Sequence, residues 1–161
     1  MALRIVTLAE RPDLAAVVAD WQWQEWGRPR GRLLASVTEE VAALLRPDGL
    51  ESGFVLLDGG APVGTACLTL ADLDSRPDLS PWLASVYVPP PQRGRGHAAR
   101  LVAAVEQAAR AQGHSTLWLF TWTTAALYQR LGWQPVGPEP HPSGPVTLMR
   151  RTLSVAGSHL P

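Results

Sequence analysis

One cysteine and no lysine occur in the 161 residues of this chain. A lone thiol can neither close an intramolecular disulfide nor contribute to a zinc centre of thiolates, so stability has to come from an apolar core. Cys67 stands in the apolar run 63–70, where a packing role outweighs a nucleophilic one. Net charge is also lacking: 14 basic residues balance 14 acidic ones, and no global field draws the protein toward nucleic acid or an anionic membrane. No apolar run approaches the length of a membrane span, and charge at Glu10 and Arg11 comes too early for a secretory segment, so the cytoplasm is the expected compartment. Every basic residue is arginine, which together with the many alanines and prolines suggests a GC-rich bacterial genome. That observation concerns codons, not chemistry.

What is present suits one globular domain. Hydrophobic residues make up 46% of the chain, enough for a core over residues 1–153, with 154–161 expected to fray. Residues 4–8 read as a strand. Pro12 and Asp13 suit the first turn of a helix whose Leu14, Val17, Val18 and Trp21 share a face, with Trp23 and Trp26 off that stripe. A capping box, Ser36 to Glu39, precedes Val41, Leu44 and Leu45, and Pro47 to Gly49 stops that helix. Gly59 and Gly60 join strands 54–58 and 63–70 in a hairpin. A polar connection over 72–81 leads to a strand at 83–88. The next helix carries Ala98, Leu101, Val102, Val105 and Ala109 on one face, an outward Glu106/Arg110 pair, and Gly113 as its stop. A strand at 116–121, a short helix capped by Thr123 or Thr124 and ending at Gly132, a brief strand at 133–136, an exposed loop over 137–145 and a last strand at 146–153 complete the order β-α-α-β-β-β-α-β-α-β-β.

The most chemically specific stretch is Val86-Tyr-Val-Pro-Pro-Pro-Gln-Arg-Gly-Arg-Gly-His-Ala98, running straight into a helix. It describes a strand, a turn that two glycines keep free of side chains, and a helix N-terminus whose unpaired N–H groups attract an anion. Two other phosphate motifs fail against it. Gly94-x-Gly96-x-x-Ala99 imitates a dinucleotide fingerprint, but Phe120 and Thr121 stand where an acidic residue should end the next strand, and the motif lies past mid-chain. A Walker A loop needs the lysine that this chain lacks.

Order and motif together resemble the GCN5-related N-acetyltransferases (GNAT), over nearly the whole chain. Arg93-Gly-Arg-Gly96-His-Ala98 matches that family's Arg/Gln-x-x-Gly-x-Gly/Ala, Val88-x-Pro90 matches its strand end, and Leu127-Tyr128-Gln-Arg-Leu-Gly-Trp133 resembles its "fYeklGF" signature. The resemblance implies an α/β fold with a single mixed, mostly antiparallel sheet flanked by helices, whose central parallel strands splay apart around acetyl-CoA. Acetyl-CoA is then the co-substrate, and no metal is implied. The Val86 N–H would meet the thioester carbonyl, Val88 would pair its main chain with pantetheine, and Tyr87 lies between them. Arg93, Gly94, Arg95, Gly96, His97 and Ala98 would form the pyrophosphate cradle, with the His97 side chain turned outward. Thr121 stands where many relatives place a CoA-contacting asparagine. Tyr128 matches the tyrosine that bonds the CoA sulfur and protonates it as thiolate leaves.

The acceptor side is less defined. Trp82-Leu-Ala-Ser85 lacks the glutamate that several members carry on this strand, so the amine proton would leave through water to Glu25, Asp72 or Asp74, or to solvent. Trp23, Glu25, Trp26, Asp72 and Trp122 are the candidate acceptor contacts, Trp23 or Trp26 serving either as an aromatic wall or as packing under the second helix. A local resemblance of the segment from Arg11 to Trp26, followed by Arg28, Arg30 and Arg32, is to the animal enzyme that acetylates the acidic N-terminus of actin; it implies that those arginines attract an acidic acceptor, against a solvated linker. The expected activity is direct acetyl transfer to a primary amine, of a small molecule or a peptide N-terminus, in a ternary complex. A non-catalytic acyl-CoA sensor is the alternative. No nucleic-acid or membrane partner is expected, a homodimer is compatible with the chain, and no histidine has metal-ligand spacing.

Overall fold

The computed structural model describes residues 2–154, so the expected frayed tail lies, apart from Ser154, outside the described residues. One seven-stranded sheet runs in the order β1-β2-β3-β4-β5-β7-β6. It is mostly antiparallel, with β4 and β5 as a parallel pair in which Trp82 stands opposite Trp118. The strands are β1 Leu3–Thr7, β2 Ser52–Asp58, β3 Ala61–Thr69, β4 Trp82–Tyr87, β5 Thr116–Thr121, β6 Gln134–Glu139 and β7 Val146–Thr152. The helices are α1 Ala15–Gln22, α2 Leu34–Ala42, α3 His97–Ala111 and α4 Ala125–Arg130. The described residues fall into two compact units, 2–67 with 85–105 and 68–84 with 106–154.

In the first unit β1 pairs antiparallel with β2, Ile5 opposite Leu56, and Gly59 and Gly60 turn the chain into β3. Pro12 opens a 3-10 turn, Pro12–Leu14, that feeds α1, because its missing N–H and fixed φ cost nothing at a helix start. Leu14 and Val18 are buried as the periodicity requires. After Gln22 the helix widens into a π turn over Trp23–Gly27, then tightens into a 3-10 turn over Arg28–Arg30. The capping box expected at Ser36 does not form. α2 starts at Leu34 behind an extended Leu33, so Ser36 falls inside the first turn; its N–H donates to the Leu33 carbonyl at 3.1 Å and the Thr38 hydroxyl donates back to Leu34 at 2.9 Å. Leu8, Val18, Val41, Val55, Leu56, Leu101 and Val102 are fully buried, each contributing about 1.5–3 kcal/mol of burial free energy.

The second unit is built on Trp82, Leu73, Val146 and Leu148, with Trp118, Phe120 and Trp122 packed against them. The Trp82 indole N–H donates to the Leu79 carbonyl at 2.8 Å, so the ring is buried without an orphaned donor. The connection before β4 is tied to β6: Arg76 forks onto Asp78 and reaches Glu139 at 2.9 Å. The expected 137–145 loop is shorter than the sequence suggests. β6 continues through Glu139 with an irregularity between Pro135 and Gly137, a pattern an edge strand tolerates because a proline there withholds no needed donor.

Glu106 also departs from expectation. It is 7% exposed rather than outward-facing, and accepts the Trp133 indole N–H at 3.1 Å, with Arg110 at 3.7 Å and Arg151 at 3.8 Å. Helical spacing placed the pair with Arg110 correctly; the tryptophan that covers the carboxylate comes from 27 residues further along the chain.

Candidate active site

In the first unit the end of β4 leads through a turn into the start of α3. Gly94 and Gly96 both have φ of +79°, and a Cβ built on either would point into open space. Glycine is needed there for the left-handed backbone, and its bareness leaves room where a ligand would lie. The Arg100 N–H donates to the Gly96 carbonyl at 3.2 Å, opening α3, so the N–H groups of its first turn have no carbonyl of their own helix to meet. The Arg93 N–H is not part of that set, because it donates to Pro90 at 3.3 Å. The Arg93 side chain is also engaged: Nε donates to the Val88 carbonyl at 2.8 Å and the guanidinium lies 5.9 Å from the Tyr87 ring centre. Arg95 reaches Gln92 at 3.3 Å. These contacts fix the turn to the end of β4.

His97 is buried rather than outward, at 4% exposure, and neither ring nitrogen has a hydrogen-bond partner. It is the first residue of α3, and the apolar face of that helix carries it inward, which the motif's unspecified position did not disclose. Val86 and Tyr87 are half-buried and Val88 is buried, and Ser85 before them has φ of +55° within the strand. A side chain held in the left-handed region bends a strand and re-aims the residues that follow.

Tyr87 also gathers aromatics. Trp21 lies 5.8 Å and Trp26 6.2 Å from its ring centre. Trp23 turns elsewhere: its indole N–H donates to Arg32 at 2.8 Å, and Arg28 lies over its ring at 5.8 Å. Trp26, not Trp23, thus joins the aromatic group, and Trp21 belongs to it although α-helical spacing assigned that residue to the core face. Glu25 is exposed on the π turn. Arg32 is bound to Glu40 and Arg28 contacts Gln24 at 3.5 Å.

In the second unit Tyr128 is buried on α4, and burial pushes its phenol up to about 12. The helix ends in a Schellman motif: the Trp133 N–H donates to the Tyr128 carbonyl at 2.9 Å and the Gly132 N–H to Gln129 at 3.0 Å. Thr124 occupies the N-cap position without using its hydroxyl on the helix. That group pairs with the Thr121 hydroxyl at 2.7 Å, which in turn accepts the Thr124 N–H at 3.1 Å. Thr121 is buried and engaged in this turn.

Asp72, Leu73, Asp74 and Ser75 line a pocket of about 360 Å³ with Pro140, His141 and Pro142. Although Asp72 is exposed as a residue, chain crowded around its carboxyl and then the Asp74 charge raise it to about 7. His141 packs against Trp122 at 4.9 Å and Phe120 at 5.5 Å, with Phe120 and Trp122 5.4 Å apart. Asp72 and Trp122 therefore reach one aromatic and acidic neighbourhood through His141, which no sequence signal had marked. Among the described residues no three His, Cys, Asp or Glu side chains are placed to hold a metal ion, and no helix is long and apolar enough to cross a membrane.

A mixed sheet whose parallel pair is joined through a glycine turn and a bare helix start is the plan of the acetyltransferase class of α/β folds. Comparison with known proteins agrees, and the chain belongs to the acetyltransferase (GNAT) family, whose model matches residues 15–133. Mouse N-alpha-acetyltransferase 80 is 32% identical over 130 residues, which span 77% of this chain but only 39% of that protein. Among solved structures, an aminoglycoside 6'-N-acetyltransferase complexed with coenzyme A superposes with a TM-score of 0.73 at 18% identity, over 94% of this chain and 97% of that one. The ribosomal-protein-S18-alanine N-acetyltransferase of Escherichia coli gives 0.67 at 21% identity, over 99% of both chains. At these identities the structures speak for the fold.

Proposed function

We propose that the chain transfers an acetyl group from acetyl-CoA to a primary amine, of a small molecule or a peptide N-terminus, by direct attack in a ternary complex. The observation that carries this is the pair of left-handed glycines, open to solvent, at the start of α3 within the family match. Residues 94–98 are suited to the pyrophosphate through main-chain N–H groups, and acetyl-CoA supplies the activated thioester. The amine nitrogen bonds to the thioester carbon, the tetrahedral oxyanion collapses, and the carbon–sulfur bond breaks to leave an amide and CoA thiolate. The Val86 N–H is the donor assigned to the oxyanion and Tyr128 the acid assigned to the sulfur. The phenol is protonated at neutral pH, and burial, which raises it to about 12, makes it a weaker acid, so its proton passes to a thiolate made more basic by the same desolvation.

Asp72 is the group best suited to receive the amine proton, directly or through water, because a carboxyl near 7 is half-ionised at neutral pH. Trp122 and His141 then wall the acceptor. Asp72 and Asp74 favour a cationic acceptor over an acidic one. The arginines offered for an acidic acceptor support it less, since Arg32 is bound to Glu40 and Arg28 lies on Trp23.

The test is thiol release measured across an amine panel. We expect acceptor-dependent CoA release that falls roughly a hundredfold or more in Tyr128→Phe. The absence of a carboxylate from Trp82–Ser85 favours the second reading, a sensor, and acetyl-CoA binding without acceptor-dependent thiol release would establish it over catalysis.

A further inference from the structure

A helix of six residues such as α4 has little stability of its own, so its orientation depends on what holds its ends. The C-terminal end is fixed by the Schellman motif, and Trp133 is its working residue. The Trp133 N–H closes on the carbonyl of Tyr128 itself, and the two rings meet edge to face at 6.2 Å. Trp133 is in turn only 2% exposed, and its indole N–H donates to Glu106 Oε2 at 3.1 Å. The other oxygen of Glu106 faces Arg110 and Arg151, and Arg151 Nη1 donates to the Gly132 carbonyl at 2.8 Å. Trp133 is therefore held directly by a buried carboxylate, and Gly132 by Arg151, whose Nε lies 3.8 Å from the same carboxylate as an ion pair without a hydrogen bond.

Packing alone would not call for this. A phenylalanine would fill the ring's place with no acceptor, whereas a buried carboxylate is costly unless its hydrogen bonds are used. We propose that Glu106 is a positioning residue for Tyr128, setting the place of the phenol through the Trp133 indole. The proposal rests on Tyr128 being the acid of the transfer.

Glu106→Ala and Trp133→Phe should each lower kcat roughly ten- to a hundredfold, the scale of a small misplacement of a reacting group, with KM for acetyl-CoA within about twofold. Glu106→Gln, which keeps an acceptor oxygen and the shape, should restore most of the rate. In a Tyr128→Phe background the same substitutions should cost nothing further, because residues acting as a unit are not additive. Equal losses in both backgrounds, or a loss confined to KM, would overturn the proposal. Should Glu106→Ala not fold, Trp133→Phe carries the kinetic test.

A second readout separates this proposal from the role of Tyr128. The chain has two tyrosines, so in a Tyr87→Phe protein a ring-labelled tyrosine gives one NMR signal, that of Tyr128. Glu106→Ala should displace and broaden that signal, and Glu106→Gln should return it. An unmoved signal overturns the positioning even where Tyr128→Phe abolishes turnover; a displaced signal with full turnover in Tyr128→Phe overturns the acid instead.

Discussion

Replacing Gly132 with alanine tests whether the cap below Tyr128 is built as described. Gly132 has φ of +94°, and an added Cβ would lie 1.8 Å from Arg151 Nη1 and 2.8 Å from its Cζ. A left-handed alanine costs about 1–2 kcal/mol. The guanidinium must also withdraw from the Gly132 carbonyl, and a hydrogen bond from a charged donor contributes about 1.5–3 kcal/mol. The Arg151 side chain is 31% exposed and can find water, which lowers that second part to about 1–2 kcal/mol. Gly113 supplies the control. It ends α3 in the same motif with φ of +86°, but a Cβ there meets nothing within 4 Å, so Gly113→Ala carries only the backbone cost. Gly132→Ala should then melt roughly 2–8 °C below Gly113→Ala, at about 2–4 °C per kcal/mol for a chain of this size. Circular dichroism melts of the two variants and of Gly132→Ala in an Arg151→Ala background are the assay. Equal melting temperatures for Gly132→Ala and Gly113→Ala, or an undiminished extra loss once Arg151 is alanine, would refute the reasoning.

The remaining predictions concern the ligands. Gly96→Ala should raise KM for acetyl-CoA about tenfold or more while costing roughly 1–2 kcal/mol of stability, read by initial rates and melts; an unchanged KM would remove the turn from the donor site. Asp72 has its carboxyl raised from 3.8 to about 7, so kcat/KM should climb with pH through about 7 in the native protein and lose that limb in Asp72→Asn. The sign for stability is the opposite: the raised carboxyl favours the fold below about 3.8 and loses that advantage as pH passes 7, so Asp72→Asn should melt with the native protein near pH 4 and above it near pH 8. In competition assays followed by mass spectrometry, diamines should outpace peptides with acidic N-termini, and Asp74→Asn should narrow the gap; the reverse preference would return the acceptor to Arg28 and Arg30.

Much of the fold was legible because it is written locally. The strand Thr116–Thr121 alternates buried and half-buried residues, Gly59 and Gly60 turn a hairpin, and the apolar stripe of α3 is continuous. What escaped depends on residues far apart in the chain. Ser36 to Glu39 has the composition of a capping box, yet the entry of the chain through Leu33 decides where α2 begins. Glu106 looks like a surface partner for Arg110 until Trp133 covers it. The glycine turn before α3 was readable because glycine is required wherever bare main chain must take a left-handed form. The acidic pocket was not, since Asp72 and His141 lie 69 positions apart in loops with no periodicity to connect them.

The π turn at Trp23–Gly27 makes the aromatic surface beside Tyr87 tolerant of a change in chain length. A turn closed over five residues instead of four holds one residue more than an α-helix, and each residue rotates the helix by about 100°. Losing a single residue from Gln24 or Glu25 would let this turn close over four residues, leaving Trp21 and Trp26 four positions apart on one face, still beside Tyr87. Descendants of this chain could therefore lose one codon at the turn and keep both tryptophans beside Tyr87, with every side chain that now forms the surface still encoded.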